Sequence, residues 1–170
     1  MIDVGGTAGG VRLRPPRHRV ARKAVLWWGC QAVSGVAVLL LALGGAAWWL
    51  PAVRQWLVIA LIVCGVLGIG YVAVMPWLRY RVHRWETTDS AVYTAAGWLS
   101  REWRVAPMSR IQTVDTARGP LQRALGLSSV TVTTASAAGP LHIDGLERDV
   151  AAELAERLTR ITQATPGDAT

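Results

Sequence analysis

The chain has 170 residues, a formal net charge of +7 and an apolar content of 52%. Because the apolar residues crowd into residues 25–78, the remainder is long enough for one small core and no more. The two cysteines, Cys30 and Cys64, both fall in this apolar part, which argues against a disulfide framework or a zinc site in the soluble part.

Two uncharged apolar runs follow each other in the first half of the chain. Residues 25–50 form a run of 26 residues and residues 56–78 a run of 23. At a helical rise of about 1.5 Å per residue these runs are roughly 39 and 34 Å long, and the hydrocarbon core of a bilayer is about 30 Å thick. Since residues 51–55 leave room only for a tight turn, the sequence predicts a transmembrane hairpin.

Positive charge flanks the outer ends of this hairpin, whereas the turn carries Arg54 alone. The flanking cations are Arg12, Arg14, Arg17, Arg19, Arg22 and Lys23 before the first run, and Arg79, Arg81 and Arg84 after the second. Because cationic flanks stay cytoplasmic, we predict a multi-pass protein of the plasma (inner) membrane with both termini cytoplasmic and the turn outside. We expect residues 1–24 to form a basic, disordered cytoplasmic tail.

Tryptophans mark the ends of both runs, as expected for indole rings at the headgroup level. The inner boundary would be marked by Trp27, Trp28 and Trp77, and the outer boundary by Trp48, Trp49 and Trp56. A cleaved signal peptide is the competing interpretation of the first run. That run is much longer than a signal h-region of about 7–15 residues, and a second span follows at once.

Small residues at a spacing of four predict close packing of the two helices in lipid. They are Ala60, Cys64 and Gly68 in the second run, and Ala42 and Ala46 in the first, with Gly35 one heptad earlier. The alternative is that glycine and alanine are simply common in membrane helices. No ionisable Asp, Glu, Lys, Arg or His lies within either run, which argues against a transporter or channel formed by this chain alone.

Residues 79–162 predict a cytoplasmic domain of short strands followed by one helix. The predicted strands cover residues 80–87, 91–98, 102–105, 111–117, 129–135 and 141–143. For the helix, Asp144 is the expected N-cap, with Glu147 three residues on. The helix carries an apolar stripe that we expect to pack on the sheet, formed by Val150, Leu154, Leu158 and Ile161. Residues 163–170 are expected to be a disordered tail.

Three segments of this domain resemble a known family. Residues 110–114 (RIQTV) look like the [KR]-I-Q-x-V strand of the bacterial PH-like, membrane-flanked domain family, the YdbS-like proteins. Residues 119–127 match that family's G-x-L-x-R-x-x-G turn, and residues 132–136 match the strand after it. The resemblance implies an α+β membrane protein, in which the transmembrane hairpin precedes a PH-like β-barrel or sandwich closed by the C-terminal helix.

The resemblance also implies a non-enzymatic interaction module, working beside a larger membrane protein that carries several such domains. The polar residues near the motif turn, Arg110, Gln112, Arg118 and Arg123, are the predicted interaction face. The alternative for Arg110 and Gln112 is that they only hold the barrel together. A second hypothesis is an anionic-lipid headgroup reader, and a third is a small enzyme or transporter subunit.

Other chemistry has little support in the sequence. His18, His83 and His142 show no ligand spacing, and no catalytic motif is present, so we expect no catalytic site, no metal and no cofactor. Residues 79–162 contain 11 arginines and 9 acidic residues, a balance of only +2. Nucleic-acid binding needs a concentrated basic surface, so we expect a membrane protein partner and no nucleic acid. The oligomeric state stays open.

Overall fold

The computed structural model describes residues 16–97, 102–135 and 139–164. The predicted tails therefore lie outside the described residues over 1–15 and 165–170, as does Ser136 of the last motif segment. The elements in chain order are β1 (His18–Arg19), α1 (Lys23–Trp49), α2 (Arg54–Val82), β2 (Arg84–Thr87), β3 (Ala91–Ala96), β4 (Glu102–Pro107), β5 (Ile111–Ala117), α3 (Pro120–Leu125), β6 (Leu127–Thr134), β7 (Leu141–Glu147) and α4 (Arg148–Ala164).

The two long helices, α1 and α2, pack against each other and are joined by one 3-10 turn at Pro51–Val53. Both are long and apolar enough to cross a membrane. Only 11% and 6% of their most apolar stretches are buried, whereas a core helix of a soluble protein is mostly buried. Helix α2 continues four residues past the predicted end at residue 78 and carries Arg79 and Arg81 in its last turn.

The packing face of the hairpin differs in part from the prediction. Gly68 of α2 is buried, and a side chain there would place its Cβ 2.6 Å from Cγ1 of Val36. Gly35 and Ala42 of α1 are exposed, so the predicted small-residue face of α1 is wrong. Helix α1 presents the larger Val36 to the glycine of α2 instead, because a glycine on one helix leaves room for a branched side chain on the other.

This close approach predicts that Gly68→Leu destabilises the hairpin. The leucine side chain overlaps Val36 and pushes the helices apart, and overpacking of this kind costs about 1–3 kcal/mol. The measurement is the midpoint of SDS-induced unfolding of the detergent-solubilised chain, followed by circular dichroism. Gly70→Leu is the matched control, since nothing lies within 4 Å of a Cβ at that position. Equal midpoints for the two variants would contradict the packing described here.

The strands form two antiparallel sheets with orders β1-β2-β3-β4 and β5-β6-β7. Helix α4 packs over the second sheet. The predicted α+β architecture is therefore present, and it is consistent with a PH-like fold. The barrel is not closed, however, because no described strand of the first sheet pairs with a described strand of the second. The first sheet ends at β4, and the edge strands of the second are β5 and β7.

Residues 16–22, which the sequence analysis assigns to a disordered tail, are part of the folded domain. His18 pairs with Trp85 and Arg19 with Arg84, which makes β1 the first strand of the first sheet. The next residue, Val20, is buried in the core. The segment is ordered because β2 satisfies its backbone groups and the core takes up its one large apolar side chain.

The predicted start of the last helix is also wrong. Asp144 lies within β7, not at a helix N-cap, because the pairing of β7 with β6 continues to Glu147. Gly145 accommodates an irregularity in this pairing with a φ of +75°, which favours glycine. Helix α4 therefore begins at Arg148. Val150, predicted in the apolar stripe, is exposed, while the buried positions of α4 are Ala151, Leu154 and Leu158.

One core joins the first turns of α1 to both sheets and α4. Ala24 and Trp28 of α1 are fully buried in it, and the same core contains Leu146 of β7 and Leu158 of α4. The hairpin is therefore docked on the module that follows it, with the base of α1 contributing to the module's own core.

Candidate functional site

The four residues of the predicted interaction face lie in two separate regions. Arg110 and Gln112 lie where β5 begins, whereas Arg118 follows the end of β5 and Arg123 lies on α3. Across the seven residues of β5, a rise of about 3.3 Å per residue separates the two regions by roughly 20 Å. All four side chains are exposed. One small ligand therefore cannot contact both pairs.

The glycine-bounded motif is built around Gln122, which the sequence analysis did not single out. Its side chain is buried, and its Oε1 accepts a hydrogen bond from the backbone N–H of Gly119 at 2.8 Å. Its Nε2 donates to Oγ of Ser129 on β6 at 2.9 Å. Gly126 ends α3 with a φ of +70°. The motif therefore encodes a capped helical turn tied to β6, a structural role that needs no contribution from Arg123.

The candidate binding site of the module is the seam, the groove along the free edge of β4 where the two sheets fail to close. Among the described residues, β4 makes its strand hydrogen bonds with β3 only. The opposite edge of β4 therefore has no strand partner within residues 16–97, 102–135 and 139–164. A groove of about 360 Å³ follows this edge. Its walls are residues 103–107 of β4 on one side and Arg110, Thr134, Gly139 and Leu141 on the other.

The seam combines apolar and cationic groups. Trp103 and Val105 project from the outer face of β4 with 41% and 37% of their surface exposed. Arg104 is already engaged, since its Nη1 donates to the carbonyl of Pro140 at 2.9 Å and its Nη2 lies 3.3 Å from Oε2 of Glu102. Arg110 is exposed at the groove and forms no ion pair within the described part of the chain. An extended peptide can pair with such an edge through its backbone.

A second cluster, the junction, holds the hairpin against the module. Trp28 is 0% exposed, with Arg79 stacked 4.7 Å from its ring centroid and His83 edge-on at 5.6 Å. Nη2 of Arg79 also lies 3.4 Å from Oδ2 of Asp144 on β7. Gly145 completes the contact, because a Cβ at this position would lie 2.6 Å from Cβ of Ala24.

His83 is the buried titratable group of the junction. Its Nε2 accepts a hydrogen bond from the backbone N–H of Asp144 at 3.3 Å, so the proton of the neutral ring sits on Nδ1. Burial lowers the pKa of His83 from 6.5 to about 4; the carboxylate of Asp144 opposes this shift and Arg79 adds to it. The imidazole is therefore neutral at physiological pH, and its role is to accept a hydrogen bond rather than to carry charge.

Sequence reasoning missed both clusters. Trp28 was predicted to lie at the lipid interface, but it is buried in the core of the module, so that prediction is wrong. The spacing of Val20, Ala24 and Trp28, four residues apart, was the available signal for a buried face that extends back into the tail. For the seam, the alternation of Trp103 and Val105 around Arg104 was a signal, but the lack of a strand beside β4 is not readable from sequence.

Over residues 16–97, 102–135 and 139–164, no group of three His, Cys, Asp or Glu side chains is placed to hold a metal ion.

Comparisons with known proteins match the whole arrangement of hairpin and module. The family model described as Bacterial PH domain matches residues 23–162, which include both long helices. A curated relative, the UPF0699 transmembrane protein YdbS of Bacillus subtilis (strain 168), is 28% identical over 161 residues, which cover 90% of this chain and 97% of the relative. No solved structure gives a significant match.

Proposed function

Because the chain belongs to the bacterial PH domain family, we propose that it is a non-enzymatic membrane protein whose module binds an extended segment of a partner protein at the seam. The observation that carries this proposal is the free edge of β4 beside a groove of about 360 Å³. An added strand pairs with the unpartnered backbone groups of β4, and its side chains contact Trp103 and Val105.

The charges at the seam favour a partner segment with an acidic residue. Arg110 is the cation that stays available there, since Arg104 is held by Glu102 and Pro140. Gln112, two residues further along β5, is exposed on the same region of the module. Of the predicted interaction face, this proposal keeps Arg110 and Gln112 and leaves Arg118 and Arg123 outside the contact.

The proposed placement is the plasma membrane with the module on the cytoplasmic side. It is supported by the arginines that flank the outer ends of the hairpin and by the single arginine in its turn. The proposed partner is a larger membrane protein that carries modules of the same kind, because two modules held at the same membrane surface meet at a high effective concentration.

Site-specific photocrosslinking tests the proposal. A photoreactive amino acid in place of Trp103 is expected to crosslink to one membrane protein. The same amino acid in place of Glu156, which is exposed on α4, is expected to give no such crosslink. Arg110→Glu is expected to lower the yield at position 103 severalfold, because it replaces the available cation of the seam with a charge that repels an acidic segment. Mass spectrometry identifies the crosslinked chain.

The matched variant is Arg118→Glu with Arg123→Glu, which changes more charge at the other end of β5. We expect it to leave the yield at position 103 unchanged. Crosslinks only to further copies of the chain, or equal yields at positions 103 and 156, would contradict the proposal.

Recognition of anionic lipid by the module is the alternative function. One specific observation favours a lipid contact, namely that Arg81 and Arg84, where α2 leaves its apolar run, form no ion pair with another described residue and line one groove.

A further inference from the structure

A second groove, called the crevice here, lies between the end of α2 and the outer face of the first sheet. It has a volume of about 530 Å³. Leu78, Arg81 and Val82 of α2 form one wall, and Arg84, Ala95 and Trp103 form the other. Trp103 borders both grooves, but their cations differ: Arg104 and Arg110 line the seam, whereas Arg81 and Arg84 line the crevice.

The crevice lies at the depth of lipid headgroups. Leu78 is the last residue of the uncharged run, and Trp77 beside it is 62% exposed, as expected for an indole at the interface. Arg81 follows Leu78 by three residues, which is about 4.5 Å along the helix axis. The polar layer on each side of a bilayer is roughly 5–7 Å thick. The guanidinium of Arg81 is therefore within reach of lipid phosphates whenever α2 spans the membrane.

The two arginines of the crevice are available for an anion. Within the described ranges, neither Arg81 nor Arg84 forms an ion pair, whereas Arg79 is paired with Asp144. The nearest acidic residue on the same face of β2 is Glu86, whose Oε1 lies 3.9 Å from Nε of Arg17. Arg19 lies directly opposite Arg84 in the β1–β2 pair. The side chains of these two arginines therefore project from the same face of the sheet, which places a third guanidinium group beside the crevice.

The remaining walls suit the apolar part of a lipid. Leu78 and Trp103 are partly exposed, and Val74, one turn earlier on α2, is exposed as well. We propose that the crevice binds the headgroup phosphate of one anionic phospholipid through Arg81 and Arg84, with the acyl chains lying along α2 above Leu78. Guanidinium groups bind phosphate oxygens through paired, charge-assisted hydrogen bonds. This inference goes beyond the partner contact at the seam and does not depend on it.

Native mass spectrometry of the full-length chain tests the inference. The purified chain is incubated in detergent with equal amounts of phosphatidylglycerol and phosphatidylcholine, and the lipids retained are counted. We expect one phosphatidylglycerol to be retained in preference to phosphatidylcholine. Each of Arg81→Gln and Arg84→Gln is expected to weaken this preference about fivefold, as for the loss of one cation at a lipid surface.

Two controls separate a site from a general charge effect. The double variant Arg81→Gln with Arg84→Gln is compared with Arg118→Gln with Arg123→Gln, which removes the same charge from residues that do not line the crevice and is expected to leave the preference unchanged. Arg81→Lys with Arg84→Lys keeps both positive charges and is expected to retain most of the preference for phosphatidylglycerol. If the glutamine variants do not fold, this lysine variant still tests whether positive charge at the crevice is sufficient.

The inference is overturned if both lipids are retained equally by the unmodified chain, or if the control pair loses as much preference as the crevice pair. Because the assay contains only the chain and lipid, its result is independent of the crosslinking at Trp103. Failure of one proposal therefore leaves the other standing.

Discussion

Replacing Trp28 with alanine is expected to lower the free energy of unfolding by about 3–5 kcal/mol, the range for loss of a large aromatic side chain from a core. Trp28 is 0% exposed although it lies in a helix long and apolar enough to cross a membrane. Its ring is stacked against Arg79 of α2, lies edge-on to His83 and packs beside Gly145 of β7. Ala24 of α1 already lies against Gly145 of β7, so α1 cannot move closer to β7 to fill the cavity, and we expect the upper part of the range.

The measurement is urea unfolding of the detergent-solubilised chain, followed by far-ultraviolet circular dichroism, in which the long helices dominate the signal. Trp48→Ala is the matched control, because Trp48 lies in the same helix with 78% of its surface exposed. We expect the control to change the stability by less than about 0.5 kcal/mol, as for surface substitutions. Similar losses for Trp28 and Trp48 would show that the base of α1 is not part of the core.

Acidification is expected to destabilise the folded chain through His83. The unfolded chain takes up a proton near the ordinary histidine pKa of 6.5, whereas the folded chain takes it up only near a pKa of about 4. Above pH 6.5 the ring is neutral in both states and contributes nothing. Between pH 6.5 and pH 4 the unfolded state binds more protons, so stability falls by up to about 1.4 kcal/mol per pH unit. Below pH 4 the loss is complete and constant.

His83→Gln isolates this contribution. The glutamine carbonyl can still accept the hydrogen bond from the backbone of Asp144, but the side chain does not titrate. Urea unfolding at a series of pH values is expected to give a flatter profile between pH 6.5 and pH 4 for this variant. His142→Gln is the control, since His142 is exposed on β7, and it should keep the slope of the unmodified chain. A profile unchanged by His83→Gln would contradict the buried, neutral state of this ring.

The junction matters for the proposed function because it orients the module. Helix α1 contributes Ala24 and Trp28 to the core, and Arg79 of α2 contacts both Trp28 and Asp144. The module is thus held at the end of the hairpin through several contacts instead of through a single connection. These contacts fix the distance of Arg81 in the crevice from the apolar runs of the hairpin. They also fix the direction in which Trp103 and the seam face relative to the hairpin.

Local patterns predicted the elements with the strongest periodicity. The observed bounds of β5 are those predicted, and both apolar runs are helices whose ends lie within four residues of the prediction. The resemblance carried by residues 110–114 and 119–127 led to the family that the comparisons confirm. These features follow from neighbours in the chain, since length, alternation and turn residues are properties of short segments.

Side-chain roles that depend on distant partners were not predictable in this way. Asp144 has the spacing of a helix cap, but the pairing of β7 with β6 keeps it in a strand beside Arg79. Arg110 and Arg118 are close in sequence, yet an extended strand of seven residues separates them. In each case the pattern is compatible with two placements, and a contact from another part of the chain selects one.

By itself, the sequence determined that this protein has an apolar hairpin followed by a small α+β module, because hydrophobic length and periodicity depend only on neighbouring residues. Only the tertiary structure decided that Trp28 belongs to the core of the module, that β4 pairs with β3 alone in the described part of the chain, and that Arg81 and Arg84 line one crevice. These outcomes depend on which surfaces meet, because burial and charge pairing are set by residues such as Gly145 and Asp144, more than 60 positions beyond the hairpin residues they contact.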